Sequence, residues 1–224
     1  MERTNSRTWP STPVVEGKSY PGLRQALLLC LLYFAVQSGF HLPFAISDSA
    51  FETEWMLHPG LTAVGLLVAG ALTMAAAFRI GRPPARAVLA FRRVSAGVLA
   101  AASVAIAGFV ILASELDNLL NRVLPMPKSM ADTFQQMFGP ERHPVWALVA
   151  LAVAAPLVEE LLFRGLILRG LLGRHSAPRA ILAAAVLFGA IHLNPWQGVP
   201  AVVVGVLLGW FYVRTRSLLP AMLG

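Results

Sequence analysis

Two short groups of residues in this 224-residue chain place ionisable side chains inside apolar runs. The first group is Val158-Glu159-Glu160-Leu161-Leu162-Phe163-Arg164-Gly165, and no residue from 145 to 157 carries a charge. The second is Phe188-Gly189-Ala190-Ile191-His192, which holds the only acidic, basic or histidine side chain between residues 180 and 213. An unpaired charge at membrane depth is costly, so such residues indicate a functional site with nearby partners.

The spacing within the first group predicts separate roles for its two carboxylates. Glu160 and Arg164 lie four residues apart, with the acid on the N-terminal side, which is the favourable order for an ion pair on a helix. Glu159 is rotated by about 100° from Glu160, so it need not share that arginine. In one arrangement the pair stabilises the helix end, while Glu159 points into a cavity and acts as a general base. In the alternative, both acids serve only as a pairing device near the cytoplasmic end of the span.

His192 has a structural interpretation and a chemical one. A lone histidine inside a membrane can simply hydrogen-bond to a neighbouring helix. Together with Glu159, its imidazole could hold and deprotonate one water molecule, or bind a metal ion and a water. A tetrahedral zinc site needs three protein ligands, and Glu159, Glu160 and His192 are the only candidates here, so a divalent metal such as zinc stays an open alternative. The sequence has no HExxH pair and no Gly-rich phosphate loop.

The composition indicates that these groups belong to a membrane protein. Hydrophobic residues make up 57% of the chain and charged residues 13%, and the mean hydropathy is +0.67. Several apolar runs of about 20 residues predict membrane helices, so the lipid bilayer is one partner. The net charge of +7 is distributed in short clusters between these runs. That distribution fits the positive-inside rule and argues against a nucleic-acid partner. Cys30 is the only cysteine, which excludes an intrachain disulfide.

We predict an all-α, polytopic fold with about six full spans, a truncated seventh and a cytoplasmic N-terminus. Residues 1–22 form a disordered lead, and residues 23–224 form a single transmembrane domain. The arginine-rich connections after the second, fourth and sixth spans set the orientation. The protein is then multi-pass, in the inner membrane if the source is bacterial. The predicted spans are residues 23–46, 60–78, 94–113, 145–168, 180–193 and 199–213, with the start of a seventh at 218–224.

Two further features have open interpretations. Residues 114–144 are too polar to span, and the spacing of their leucines predicts an amphipathic helix at the interface, either as a surface connector or as a lid. Gln37 and His41 lie toward the far end of the first span, where they are either interfacial or functional. The leucine stripe consists of Leu116, Leu119, Leu120, Val123 and Leu124.

At its two ionisable groups the sequence resembles the CAAX-protease and bacteriocin-processing (Abi, or CPBP) family of intramembrane proteases. The family motif EExxxR matches residues 159–164, the motif FxxxH matches residues 188–192, and the resemblance covers about residues 145–224. It implies that Glu159 is the general base and shares a water with His192, while Glu160 and Arg164 support the site. Water would then attack the peptide bond directly, without an acyl-enzyme. A metal-dependent and a glutamate-based mechanism compete for the family, and this sequence is compatible with both.

One family feature has no counterpart in the sequence. The third motif, HxxxN or HxxxD, would be expected next after Gly224, and in the family it stabilises the oxyanion or completes a metal site. Losing an oxyanion donor lowers the rate by roughly 10²–10³. From the two motifs that are present, we expect an intramembrane endopeptidase acting on a peptide or membrane-protein substrate. The missing third motif favours the alternative, a non-catalytic scaffold or immunity-type member of the same family. A transporter would need further ionisable groups in the other spans.

Overall fold

The chain folds into helices joined by short connections, as a computed structural model describes it for residues 19–139 and 141–223. No strand occurs within these two ranges. The helices are α1 (Leu23–Phe51), α2 (Pro59–Gly81), α3 (Ala85–Val88), α4 (Ala96–Val123), α5 (Lys128–Phe138), α6 (Pro144–Leu172), α7 (Ala177–Ala190) and α8 (Pro195–Thr215). Single 3-10 turns occur at Trp55–Leu57, between α1 and α2, and at Ala221–Leu223, after α8.

Five helices, α1, α2, α4, α6 and α8, are long and apolar enough to cross a membrane. This confirms the predicted all-α, polytopic membrane fold. The predicted count of about six full spans stays a prediction, because the sixth candidate, α7, has only 14 residues. At 1.5 Å per residue it rises about 21 Å, less than the hydrocarbon core of about 30 Å. Residues 217–223 form turns and a 3-10 turn, so the truncated seventh span stays a prediction. The cytoplasmic N-terminus also stays a prediction.

The segment at 114–144 differs from the prediction in its first part, where the leucine stripe was expected to form a separate amphipathic helix. Helix α4 continues to Val123, so the leucine stripe extends a spanning helix and does not form a separate one. No helix breaker occurs before Pro125, and backbone hydrogen bonding continues although the hydropathy falls. The stripe residues Leu119 and Val123 are exposed, so they do not pack against the core. Only Lys128–Phe138 forms a separate amphipathic helix, α5.

Residues 19–22, which we predicted as the end of a disordered lead, pack against the rest of the fold. Residues 1–18 lie outside the described ranges, but the residues after them pack against the end of α6. The Ser19 hydroxyl donates a hydrogen bond of 3.0 Å to the Gly170 carbonyl. Pro21 lies so close to Gly170 that a Cβ there would collide with it. Residues 19–22 therefore belong to the packed domain.

The core surrounds the second half of α6, where nearly every side chain is buried. Small residues on neighbouring elements allow close approach to it. A Cβ on Gly70 of α2 would lie 2.6 Å from a methyl group of Val158, and one on Gly165 would lie 2.5 Å from the Val88 carbonyl oxygen. The helix turn that carries the two glutamates is therefore clamped between α2 and α3.

Helices α7 and α8 form a tight antiparallel hairpin. A Cβ on Gly189 would lie 2.6 Å from the Gly198 carbonyl oxygen, so the backbones touch where the hairpin turns. In the turn, the Asn194 side chain accepts a 2.9 Å hydrogen bond from the Gln197 N–H and caps α8. The same side chain donates a 2.9 Å hydrogen bond to the His192 carbonyl. Asn194 therefore fixes the backbone that carries His192.

Candidate active site

Helix α6 changes its hydrogen-bonding pattern at the paired glutamates. Turns of π-helix cover Val149–Ala154 and Glu160–Leu168, with α-helix at Ala155–Glu159 between them. Pro156 lacks an N–H, which accounts for the irregular ladder before it. The second π-helical stretch has no such cause in the sequence. Inserted π turns are frequent at functional sites, and here the change falls between Glu159 and Glu160.

Glu160 and Arg164 form the predicted ion pair. Arg164 Nη1 lies 2.7 Å from Glu160 Oε1, and both side chains are 3% exposed. The short contact does not follow an N–H direction, and neither Glu160 Oε2 nor the terminal guanidinium nitrogens have an aligned hydrogen bond to a described residue. Glu160 therefore depends on Arg164, because no other described residue replaces the water that its carboxylate has lost.

Phe188 connects this pair to His192. The Arg164 guanidinium carbon lies 4.7 Å above the centroid of the Phe188 ring, in cation–π geometry. The ring of Phe188 meets that of His192 edge-on, with centroids 5.3 Å apart and planes at 82°. Phe163 packs on Phe188 with a centroid separation of 5.0 Å. The two sequence motifs thus form one packed unit.

His192 presents a hydrogen-bond acceptor to the site. Its Nδ1 lies 3.0 Å from the Phe188 carbonyl oxygen. A carbonyl oxygen can only accept, so Nδ1 carries the hydrogen and a neutral ring offers the lone pair of Nε2. The side chain is half-buried in the hairpin turn. It can therefore accept a hydrogen bond from a water molecule.

Glu159 has a different environment from Glu160. It is half-buried and, among the described residues, makes no hydrogen bond or ion pair. It lies close enough to Arg164, to Glu160 and to Tyr33 of α1 to interact with them electrostatically, but it is not within ion-pair distance of Arg164. The predicted Glu160–Arg164 pair is therefore present, whereas Glu159 is not among the residues that line the pocket beside His192, so its role as a base facing a cavity stays a prediction. No direct hydrogen bond joins Glu159 to His192 in the described part of the chain, so a shared water stays a prediction.

A pocket of about 280 Å³ opens beside His192. One of its walls is the turn that carries His192, and the other is the central part of α1, where His41 Nδ1 donates a 2.8 Å hydrogen bond to the Gln37 carbonyl. Sequence reasoning singled out Gln37 and His41 but missed Tyr33 and Asn194. The spacing of Tyr33, Gln37 and His41 at four-residue intervals would have indicated a single polar face. The pocket is lined by Tyr33, Phe34, Gln37, Ser38, His41, Ile191, His192 and Leu193.

The proposed metal ligands do not assemble in the described ranges. Residues 19–139 and 141–223 contain no group of three or more His, Cys, Asp or Glu side chains that could hold a metal ion. One oxygen of Glu160 is already 2.7 Å from Arg164, which leaves Glu159 and His192 of the three candidates. A structural or catalytic zinc ion takes three or four protein ligands, so this set does not fit zinc.

The C-terminal part of the chain can be assigned to a family by comparison with known proteins. Residues 141–224 match the family model described as type II CAAX prenyl endopeptidase Rce1-like. Over these residues the chain is similar to the Rce1-like family. No curated protein and no solved structure matches the chain.

The match confirms the resemblance to CAAX-type membrane endopeptidases that the two motifs indicated. Both motifs lie in the Rce1-like region, together with α6, α7 and α8. Helices α1, α2 and α4 precede it, so the α1 wall of the pocket comes from outside the matched residues.

Proposed function

We propose that the protein is an intramembrane endopeptidase that hydrolyses a peptide bond with water activated by Glu159 and His192. The observation that carries the proposal is the difference between the adjacent carboxylates. Glu160 is buried and paired with Arg164, whereas Glu159 is half-buried and unpaired among the described residues. A general base must be free to accept a proton, and Glu159 meets that requirement.

The proposed reaction needs one water between the two side chains. Glu159 takes a proton from the water while His192 Nε2 accepts its other O–H and orients the oxygen. The oxygen bonds to the carbonyl carbon and produces a tetrahedral oxyanion. Glu159 then delivers its proton to the leaving nitrogen, the C–N bond breaks, and an amine and a carboxylic acid leave. Positioned proton transfer of this kind contributes roughly 10²–10⁴ to a rate.

Glu160, Arg164 and Phe188 position the site without touching the substrate. The ion pair stabilises the π-helical turn that follows Glu159. Phe188 packs against both the Arg164 guanidinium and the His192 ring, and so fixes their relative position. The family description supports a CAAX-type substrate, and the bilayer-spanning helices support a membrane-bound one. Whether a prenyl group is needed is a separate part of the proposal.

The test uses the full chain in liposomes and two internally quenched peptides. One ends in a farnesylated CAAX box, and the other has the same sequence without the farnesyl group. We expect wild-type cleavage, and a loss of at least about 10²-fold in Glu159→Gln and His192→Gln. The matched control is Glu115→Gln, which alters an exposed acid on α4 and should leave the rate within about twofold.

The outcomes separate the competing functions. Wild-type turnover in a folded Glu159→Gln variant would refute the assignment of the base. Cleavage of only the farnesylated peptide would support a prenyl-dependent CAAX activity. Turnover of neither peptide by the wild-type chain would favour the alternative, a non-catalytic scaffold or immunity-type member of the family.

A further inference from the structure

The wall that α1 contributes to the pocket is polar at a depth where polar groups are costly. Tyr33, Gln37 and His41 occupy one face of the central part of α1, and Ser38 lies beside them. An unpaired polar group in hydrocarbon costs several kcal/mol, so a lipid-facing helix would not carry four of them together. Across the pocket lies His192, so the four side chains are placed beside one member of the proposed catalytic pair, and Tyr33 also interacts electrostatically with the other, Glu159.

These side chains also have unused hydrogen-bonding capacity. In the described part of the chain, the hydroxyls of Tyr33 and Ser38 and the amide of Gln37 have no hydrogen-bond partner. His41 uses Nδ1 on the Gln37 carbonyl, which leaves Nε2 as an acceptor in the neutral ring. The wall thus offers both donors and acceptors to whatever enters the pocket.

The position of the His41 ring is fixed by α2. A Cβ on Gly65 would collide with the imidazole, so the ring fills the space that the glycine leaves. Phe40 packs edge-on against the same ring, with centroids 5.2 Å apart. The acceptor of His41 is therefore held in place, while Gln37 and Ser38 can adapt to a ligand.

A protease that works at membrane depth needs such a surface. A peptide bond inside a helix is shielded, so the substrate must unwind before water can reach it. Unwinding exposes backbone N–H and C=O groups, and in hydrocarbon these groups must find protein partners. Alternating donors and acceptors are the groups that an extended backbone can bind.

We propose that this face of α1 binds an unwound stretch of substrate polypeptide by hydrogen bonds to its backbone. The substrate class is therefore a polypeptide that enters the site in extended form. Gln37 is the central residue, because its amide can pair with one N–H and one C=O of an extended chain. The inference rests on the proposed function, and its test is chosen so that the two can fail separately.

The direct test is photocrosslinking in the Glu159→Gln background. Benzoylphenylalanine replaces Phe34, which lines the pocket, or Val104, which is 73% exposed on α4. The probe is the farnesylated CAAX peptide. We expect a crosslink from position 34 that unlabelled peptide suppresses, and none above background from position 104.

The kinetic test uses Gln37→Leu in the otherwise unchanged chain. Losing one or two hydrogen bonds to the substrate backbone should raise KM by roughly 2- to 10-fold. The value of kcat should fall by a smaller factor. The control is Thr73→Val, which removes a buried hydroxyl of α2 away from the pocket and should change neither parameter.

Each outcome decides one of the two ideas. If wild type cleaves the peptide but position 34 gives no crosslink and Gln37→Leu keeps the wild-type KM, the binding wall is overturned. The proposed function then stays intact. A crosslink from position 34 without any cleavage would support the wall and overturn the proposed activity. If the experiments gave neither a crosslink from position 34 nor cleavage by wild type, both the binding wall and the proposed activity would be overturned.

Discussion

The buried ion pair of α6 gives the sharpest test of the structural reasoning. Arg164→Met removes the charge and keeps most of the side-chain length, but it leaves Glu160 buried without a partner. Breaking a buried pair from one side costs about 3–5 kcal/mol. The contact with Phe188 adds about 1 kcal/mol to this loss. Against a typical unfolding free energy of 5–15 kcal/mol, the single variant should lose roughly a third or more of its stability.

The double variant Glu160→Met/Arg164→Met should recover most of that loss. It removes both charges, and three of the charged atoms have no aligned hydrogen bond to a described residue, so few hydrogen bonds disappear. Replacing a whole buried pair by hydrophobic groups of similar size is often neutral or stabilising. The expected order of stability therefore places the double variant close to wild type and both single variants well below it.

Cys30 provides the assay. It is the only cysteine and is buried in α1, so a maleimide dye that fluoresces on reaction with a thiol reports unfolding. At about 2–4 °C per kcal/mol, Arg164→Met should melt roughly 8–24 °C below wild type in the same detergent. If the double variant were as unstable as the sum of the single variants, the assumption of mutual compensation would be refuted. A stable double variant without peptidase turnover would show that the pair also positions the site.

Three further predictions concern the hairpin and the metal. Gly189→Ala should cost about 1–3 kcal/mol in the thiol-dye assay, because its Cβ would meet the Gly198 carbonyl, whereas Gly108→Ala, with open space around it, should be neutral or stabilising. Equal melting temperatures for the two variants would contradict the close approach. Asn194→Ala should lower stability by about 1 kcal/mol through the lost cap and lower kcat more than it changes KM; an unchanged kcat would show that the turn does not position His192. Zinc chelators should leave peptidase turnover unchanged, since the described residues offer no three-ligand group, and a loss that zinc restores would establish the metal-dependent alternative.

Features that depend on local geometry could be predicted from the sequence. The Glu160–Arg164 pair follows from a spacing of four residues, and any helix-like backbone brings such side chains together. The same argument separates Glu159 from the pair. The place where the backbone changes to π-helix could not be predicted, because only the proline before it gives a local signal.

Features that depend on tertiary contacts were missed or wrong. Hydropathy ended the third span at residue 113, but α4 continues to Val123, since a helix ends where its hydrogen bonding ends and not where polar residues begin. Gln37 and His41 were recognisable as unusual residues in a span. Nothing in the sequence could show that they face His192, because that contact joins elements separated by about 150 residues.

The short length of α7 has a consequence for the supply of the reactant. A 14-residue helix rises about 9 Å less than the thickness of the hydrocarbon core, and the hairpin turn ends it. Hydrophobic mismatch of this kind is relieved by thinning of the surrounding bilayer and by water that follows the polar groups inward. His192 and Asn194 lie in that turn, so the thinned region would be centred on them. A helix too short to cross the membrane would therefore bring water, one of the two substrates of the proposed hydrolysis, to the level of the proposed active site.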